Sequence, residues 1–457
     1  MNLILATDSY KLTHWKQYPE GTEHVYSYFE SRVGARYPYT VFFGLQHLLR
    51  GLTGEVVTDE HLQEAQQLAS KHFGSDDMIN TEGWEHIINW HDGKLPLLIR
   101  AVPEGMAIPT GNVLMTVENT DPECYWLTNA IESYLTHLWY PCTVATLSRE
   151  VKIMLKKALE DTGSSLNGLP FMLHDFGYRG ATTHDAAAIG GAAHLVNFLG
   201  TDTLPAIQLL RDSYHEELGS SVPATEHSVM TALGPEGEDD MISHILEQYP
   251  SGPLSIVVDS YNVYDCVYNI CARKKEIMQR EGGPVVIRPD SVTDAHKTPG
   301  ELVTWILQTL GDAFGGTSNG KRTVLDPHVR VLWGDGLTPA DIQQILDVTA
   351  EAGWAAENLV FGMGGGLLQK LNRDTQRFAF KCSAQKREGE WHPVYKEPLG
   401  SDKTSKAGRL KLTIRRGVLA TLAEGADGIN YLLKLFEDGK LERQHHILDI
   451  RQRAELL

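Results

Sequence analysis

Between residues 165 and 371 the chain repeats one pattern: a short apolar run that ends in polar residues or glycine. The run ends are Leu173-His174-Asp175, Phe198 to Asp202, Val222 to His227, Ile256 to Asp259, Val285 to Asp290, Val329 to Asp335 and Leu359 to Gly364. They recur at about 30 residues, the spacing of βα units. Segments with helix-start chemistry lie between several of them. Thr298-Pro299-Gly300-Glu301 spells a capping box with proline at the first helical position, followed by Leu302, Trp305, Ile306 and Leu310 on one face. Thr338-Pro339-Ala340-Asp341 opens a second helix, which Gly353 closes. Seven such ends imply an irregular α/β barrel of about seven strands. Chemistry sits at the carboxyl ends of barrel strands, with phosphate usually held late in the strand order.

Two stretches sharpen that expectation. In Pro284 to Ser291, a buried-strand run (Val285, Val286, Ile287) delivers Arg288 and Asp290 across the rigid Pro289. A guanidinium and a carboxylate so placed suit a substrate bearing phosphate and a divalent metal. The same octapeptide also reads as an ion pair at a sheet edge. Phe361-Gly362-Met363-Gly364-Gly365-Gly366 is a glycine-rich loop in the late position, where bare amides can approach a phosphate.

The flanks read differently. Residues 1 to 160 mix strands and helices: Glu23 to Glu30 alternates like a half-buried strand, and Thr58 to Gly74 is a capped helix with Leu62, Ala65, Leu68, Ala69 and His72 on one face. Leu95 to Val117 gives short strands broken by turns, and Tyr125 to Leu155 is helical with a break expected at Pro141. At 457 residues the chain exceeds one ordinary core. Two domains are therefore the expectation.

Charge narrows the function. A formal net charge of −18 argues against a general nucleic-acid or anionic-membrane binder, so a phosphate site must be a local cationic cluster. After Leu371 the chain supplies one: Arg373, Lys381, Lys396, Lys403, Lys406, Arg409, Lys411, Arg415 and Arg416. Five cysteines without a C-x-x-C pair signal neither a disulfide framework nor a zinc site, which fits a reducing cytoplasm. No run approaches about 18 apolar residues, and the N-terminus lacks a basic signal region. Two motifs are decoys. Gly315 to Lys321 nearly spells a P-loop, but Arg322 stands where a hydroxyl should bind magnesium. Gly362-x-Gly364 imitates a dinucleotide fingerprint, but Leu367 occupies the sixth position.

Read together, ATDSYK at 6–11, ENTDPECYWLTN at 118–129, LHDFGYRG at 173–180, NFLGTDT at 197–203, SVPATEHS at 221–228, RPDS at 288–291, GDG at 334–336 and GMGGGLLQKL at 362–371 resemble the nicotinamide phosphoribosyltransferase family of type II phosphoribosyltransferases. The resemblance runs from end to end, and it implies a β-rich α+β domain built from both chain ends, 1–160 and 375–457, with a central α/β barrel domain of 161–374. It implies transfer of phosphoribosyl from phosphoribosyl pyrophosphate to the ring nitrogen of nicotinamide, giving nicotinamide mononucleotide and pyrophosphate in NAD salvage. It also implies Mg2+, ATP as a coupled co-substrate, and a homodimer with active sites at the subunit interface. By this resemblance Phe176 stacks on nicotinamide, Tyr10 of the other subunit covers its second face, and Asp202 accepts the carboxamide N–H. Arg288 reaches the amide and ribose. Arg179, Arg373, Lys381, Lys396 and Lys403 hold phosphate and pyrophosphate, Gly334 and Asp335 the ribose, and Gly364 and Gly365 the 5′-phosphate. Asp259 and Asp290 lie beside the metal, and His227 accepts a phosphoryl group from ATP.

Rival readings are the same reaction on nicotinate and a non-catalytic scaffold on the same fold. A carboxylate about 4 Å from Asp202 would be repelled by about 4 kcal/mol at an effective dielectric near 20, roughly a thousandfold preference for the amide.

Overall fold

The computed structural model describes residues 1–399 and 404–455, so Lys403 lies outside the described residues. The chain forms two compact units, Met1–Thr146 with Leu210–Glu216 and Asn372–Leu457, and Leu147–Leu209 with Glu217–Leu371.

The second unit is built on six parallel strands: β1 (Leu173–Asp175), β2 (Gly200–Thr201), β3 (Leu254–Val257), β4 (Val285–Arg288), β5 (Val329–Trp333) and β6 (Leu359–Met363). Their order is β2-β1-β6-β5-β4-β3. Val285, Ile287, Val329, Val331 and Ile256 are completely buried, as near-continuous β-branched runs in a parallel sheet should be. The seventh run does not form a strand. Its segment, Ser220 to Thr225, instead makes single parallel bridges to both edges, Gly200 with Ser220 and Ala224 with Ser255. Ser220 exchanges backbone hydrogen bonds with Leu199 and Thr201, and Ser255 does so with Pro223 and Thr225. Pro223 has no N–H and so cannot carry a continuous ladder. Helices Pro299–Phe314 and Pro339–Glu351 both begin with complete capping boxes, Thr298 with Glu301 and Thr338 with Asp341. The near P-loop is a hairpin, Gly316–Ser318 against Thr323–Leu325.

The first unit centres on a seven-stranded sheet in the order Glu390–Pro393, Phe378–Arg387, Thr22–Ser31, Val113–Asn119, Leu97–Ala101, Leu433–Glu437, Lys440–Leu441. Both chain ends thus contribute strands to one sheet. Thr22–Ser31 is buried continuously from Val25 onward, so both its faces are covered, whereas its alternation suggested a half-buried strand. Helix Asp59–Phe73 is capped by Thr58 and stopped by Gly74 at φ 69°, and it buries Leu62, Ala65 and Ala69. Leu68, 51% exposed, falls outside that stripe. The helical break comes between Leu127–Thr136 and Trp139–Thr162 and not at Pro141. Pro141 sits in the first turn of the second helix, where a missing N–H costs nothing.

The chain divides after Thr146 and Leu371, where the sequence suggested 160 and 374. Leu210–Glu216 joins the first unit because of Tyr214. This ring is fully buried, stacks on Phe43 at 5.1 Å, and donates its hydroxyl hydrogen to the buried Glu104 carboxylate at 2.9 Å.

The same unit contains a pH-sensitive group. His445 is 9% exposed, and its Nε2 has no hydrogen-bond partner among the described residues. Burial first, then the Arg453 guanidinium, holds its pKa down at about 4. A folded-state pKa below the unfolded value means that stability is complete above about pH 6.5 and is lost as pH falls toward 4, by about 3 kcal/mol. Urea melts at pH 7 and pH 4.5 should show that loss in the parent protein and a smaller one in His445→Gln; equal losses would contradict this role for His445.

Candidate active site

At the carboxyl ends of the barrel strands the backbone holds one aromatic ring in place. The Phe176 N–H donates to the Met363 carbonyl at 3.1 Å, and the preceding Asp175 carboxylate accepts the Gly177 N–H at 2.7 Å. Burial, the largest influence, pushes the Asp175 pKa up to about 6. The ring lies against two glycines: a Cβ on Gly362 would come within 2.0 Å of Phe176 Cε2, and one on Gly334 within 3.1 Å. Only glycine on β6 leaves room for the ring there. Phe176 is half-buried, and it borders two cavities.

The larger cavity, about 770 Å³, is a cleft lined by Phe176, Arg179, Asp202, Arg288, Asp290, Gly334, Asp335, Gly364 and Gly365, all of them residues the sequence singled out. Each arrives from a strand end. Asp202 follows β2, its N–H donates to the Asp175 carbonyl at 3.0 Å, and its carboxylate accepts a hydrogen bond from Ser221 Oγ. Arg288 ends β4 and donates to the Thr225 carbonyl at 2.6 Å, while its buried Nε has no partner among the described residues. Burial lowers the Arg288 pKa, and Asp290, Asp202 and Asp259 act in the opposite sense. The Asp335 carbonyl accepts from Trp333 Nε1 at 2.9 Å.

Carboxylates gather beside Arg288. The Asp290 pKa is raised, first by burial and then by Asp259 and Asp335, against the lowering influence of Arg288 and His227. Asp259 Oδ2 is buried without a hydrogen-bond partner among the described residues. Its other oxygen, Oδ1, lies 3.1 Å from Nε2 of His227, whose side chain is 46% exposed. Crowded, incompletely neutralised carboxylate oxygens are the donor set of a hard divalent cation, and Asp259 and Asp290 could hold one.

Several lining residues were not anticipated. Lys370 and Tyr178 face the cleft, and Thr225 and Ser221 fix Arg288 and Asp202. Lys370 was visible within the glycine-rich motif, but nothing in sequence spacing joins Ser221 to Asp202. A second cavity of about 380 Å³, lined by His174, Val286, Leu332 and Val360, shares Phe176, Asp202 and Arg288 with the cleft. Burial lowers the His174 pKa, against the raising effect of Asp202.

The remaining candidates belong to the first unit. Tyr10, 59% exposed, and Arg373 border a cavity of about 430 Å³ together with Lys11 and Glu132. Lys381 is half-buried on the strand Phe378–Arg387. Its pKa is lowered by burial, then by Arg32, with Lys396 and Arg373 adding to the effect and Glu132 opposing it. Four cations therefore share one electrostatic neighbourhood.

Residues 171–435 match the nicotinate phosphoribosyltransferase (NAPRTase) family, and residues 2–99 match the nicotinamide phosphoribosyltransferase N-terminal domain. A nicotinamide phosphoribosyltransferase of Xanthomonas campestris pv. campestris (strain 8004) is 43% identical over 468 residues, covering 99% of this chain and 98% of the relative. One from Acinetobacter baylyi is 33% identical over 491 residues, covering 99% and 97%. Among solved structures, nicotinate-nucleotide pyrophosphorylase from Pyrococcus furiosus superposes with a TM-score of 0.62 at 15% identity, covering 99% of this chain and 95% of that one. Human nicotinic acid phosphoribosyltransferase gives 0.59 at 14% identity, covering 99% and 93%. At these identities the structures establish the fold.

The glycine floor generates a stability test. Gly362→Ala forces its new methyl into Phe176 and should cost about 1–3 kcal/mol, as overpacking does. Gly365→Ala meets nothing within 4 Å and should change stability little. Urea denaturation of the two variants checks this, and equal midpoints would contradict the packing of Phe176 on β6.

Proposed function

The chain belongs to the nicotinate phosphoribosyltransferase family, and we propose that it transfers the phosphoribosyl group of phosphoribosyl pyrophosphate to the ring nitrogen of nicotinamide, as the names of its bacterial relatives indicate. The observation that carries the choice of base is the pairing of an aromatic platform with a carboxylate: Phe176 on its glycine floor, and Asp202 at the same cleft. A flat, electron-poor pyridine stacks favourably on a ring. The carboxylate of Asp202 accepts an N–H from an amide and repels the carboxylate of nicotinate.

The other roles follow from charge. As the pyridine nitrogen attacks the anomeric carbon, positive charge grows on the ribose and negative charge on the departing pyrophosphate. Asp335 and the Gly334 backbone bind the ribose hydroxyls, and the Gly364 and Gly365 amides hold the 5′-phosphate. Arg288 would reach the carboxamide and ribose, and Arg179 with Arg373, Lys381, Lys396 and Lys403 would hold phosphate and pyrophosphate. Fixed cations stabilise the departing charge, and positioning contributes most of the remaining acceleration. Asp259 and Asp290 would hold Mg2+, which when bound supplies further charge stabilisation to the pyrophosphate.

His227 supports an ATP-coupled step. With its Nε2 proton held by Asp259 Oδ1, the imidazole presents the Nδ1 lone pair to a phosphoryl group. The exposed Tyr10 and the Arg373 cluster support a homodimer in which one subunit's first unit completes its partner's cleft. Five free cysteines fit the cytoplasm. Among the described residues no helix is long and apolar enough to cross a membrane.

Two experiments test these readings. The protein, magnesium and phosphoribosyl pyrophosphate are offered nicotinamide or nicotinate, with and without ATP, and the mononucleotides are separated. The parent should use the amide. Asp202→Ala should narrow the amide preference by roughly fivefold to a thousandfold, the range set by about 1 kcal/mol in bulk water and about 4 kcal/mol at a dielectric near 20. ATP should stimulate the parent but not His227→Ala. Product from nicotinate at the same efficiency would overturn the choice of base, and equal stimulation in both proteins would remove His227. In the second experiment, Tyr10→Ala and Asp290→Ala, each nearly inactive, are dissociated, mixed and reassembled. Shared sites predict recovery of about a quarter of parental activity, because half the dimers regain one intact site. No recovery would refute a composite site.

A further inference from the structure

We propose that His86, His91, Asp121 and Cys124 form a structural zinc site in the first unit. Their ligand atoms all lie within 4.8 Å of one another. The sequence gives no warning of it. There is no C-x-x-C pair, and the two histidines are five residues apart, a spacing that does not put them on one face of a continuous helix. The fold removes that obstacle. His86 lies on the helix Thr81–Trp90, and His91 follows its last turn with φ −114° and ψ 12°, so the chain has already left helical geometry there.

The carboxylate is aimed by its own backbone. Asp121 caps the single turn Pro122–Cys124, its Oδ1 accepting the Glu123 N–H at 2.9 Å. Its carbonyl is held by Asn119 Nδ2 at 2.8 Å. Oδ2 is thereby turned toward both imidazoles, 2.8 Å from His86 Nε2 and 2.6 Å from His91 Nε2. Cys124 completes the set from the interior, with no solvent exposure. Hydrogen bonds already satisfy Oδ1, which is the outer support a ligating carboxylate needs.

The donor types select the ion. Two imidazole nitrogens, one thiolate and one carboxylate oxygen suit zinc, while calcium and magnesium favour oxygen alone. Four protein ligands leave no open position, the mark of a structural rather than a catalytic site. Zinc lies about 2.0–2.3 Å from such ligands, so tetrahedral partners stand about 3.3–3.8 Å apart; ligand atoms as far apart as 4.8 Å must close by about 1 Å, and the two Asp121–imidazole contacts must open by about 0.5 Å. Charge balances as well. The Cys124 proton leaves to solvent, each imidazole carries its remaining proton on Nδ1, and the dication meets one thiolate and one carboxylate, giving a neutral, partly buried centre. Such an ion would tie the end of helix Thr81–Trp90 to the turn that precedes helix Leu127–Thr136.

Trp90, stacked on His86 at 6.2 Å and largely exposed, offers a reporter. The full-length protein is stripped with a chelator and titrated with Zn2+, then with Co2+ as a spectroscopic probe. One zinc should remain per chain after gel filtration, with a change in Trp90 fluorescence and a higher melting temperature. The cobalt form should show tetrahedral d–d bands and a thiolate charge-transfer band that Cys124→Ser removes. His86→Gln and His91→Gln alter side chains that are 25% exposed, so they should fold, and each should weaken zinc binding by about 100-fold or more. Zinc lost on gel filtration from the parent, or bound equally by the parent and the histidine variants, would overturn the proposal; the second result would locate the ion among other carboxylates.

Discussion

A parallel sheet of six short strands leaves two edges of unpaired backbone groups, and one irregular segment, Ser220 to Thr225, bonds to both of them. The cleft depends on that closure. The Thr225 carbonyl takes the Arg288 guanidinium, Ser221 Oγ donates to Asp202, and His227 follows directly, with Nε2 on Asp259. Because Pro223 interrupts the pairing, the segment leaves the sheet early and its polar groups emerge at the rim. One backbone requirement therefore sets the positions of Asp202, Arg288 and His227 at the cleft rim.

Charge is managed locally within an acidic chain. Asp259, Asp290 and Asp335 crowd together near Arg288, and burial adds to their mutual repulsion at Asp290. Such an arrangement is stable when a cation or cationic side chains neutralise it. Phe176 solves a different problem. An aromatic platform has to stay partly uncovered in a crowded rim, and glycine on β6 gives it a seat where any Cβ would collide.

Much of this was legible because it is local. Strand ends announce themselves as apolar runs stopping at charge or glycine, and Thr298 and Thr338 cap their helices by contacts within three residues. Hence Asp202, Arg288, Asp290, Gly334, Asp335 and Gly364 stood out at strand ends, while Phe176 and Arg179 gained their roles from the family resemblance. What was not legible comes from distant parts of the chain. Ser221 reaches Asp202 only through barrel closure. Tyr214 draws Leu210–Glu216 into the first unit through Phe43 and Glu104, partners more than 100 residues away in the chain. His86 and His91 meet Asp121 and Cys124 from 30 or more residues away, where no spacing rule applies. The pause between two helices fell at His137–Leu138 because proline in a first turn is harmless.

The proposed base-binding surface is the uncovered side of Phe176, opposite its glycine seat, with Asp202 reading the amide. A crystal structure of the protein with nicotinamide tests this most directly. The account predicts a pyridine ring in offset stacking with Phe176, centroids within about 4.5–7 Å, and its carboxamide nitrogen in hydrogen-bond contact with Asp202. A ring bound away from Phe176, or stacked there with its carboxamide turned from Asp202, would contradict it.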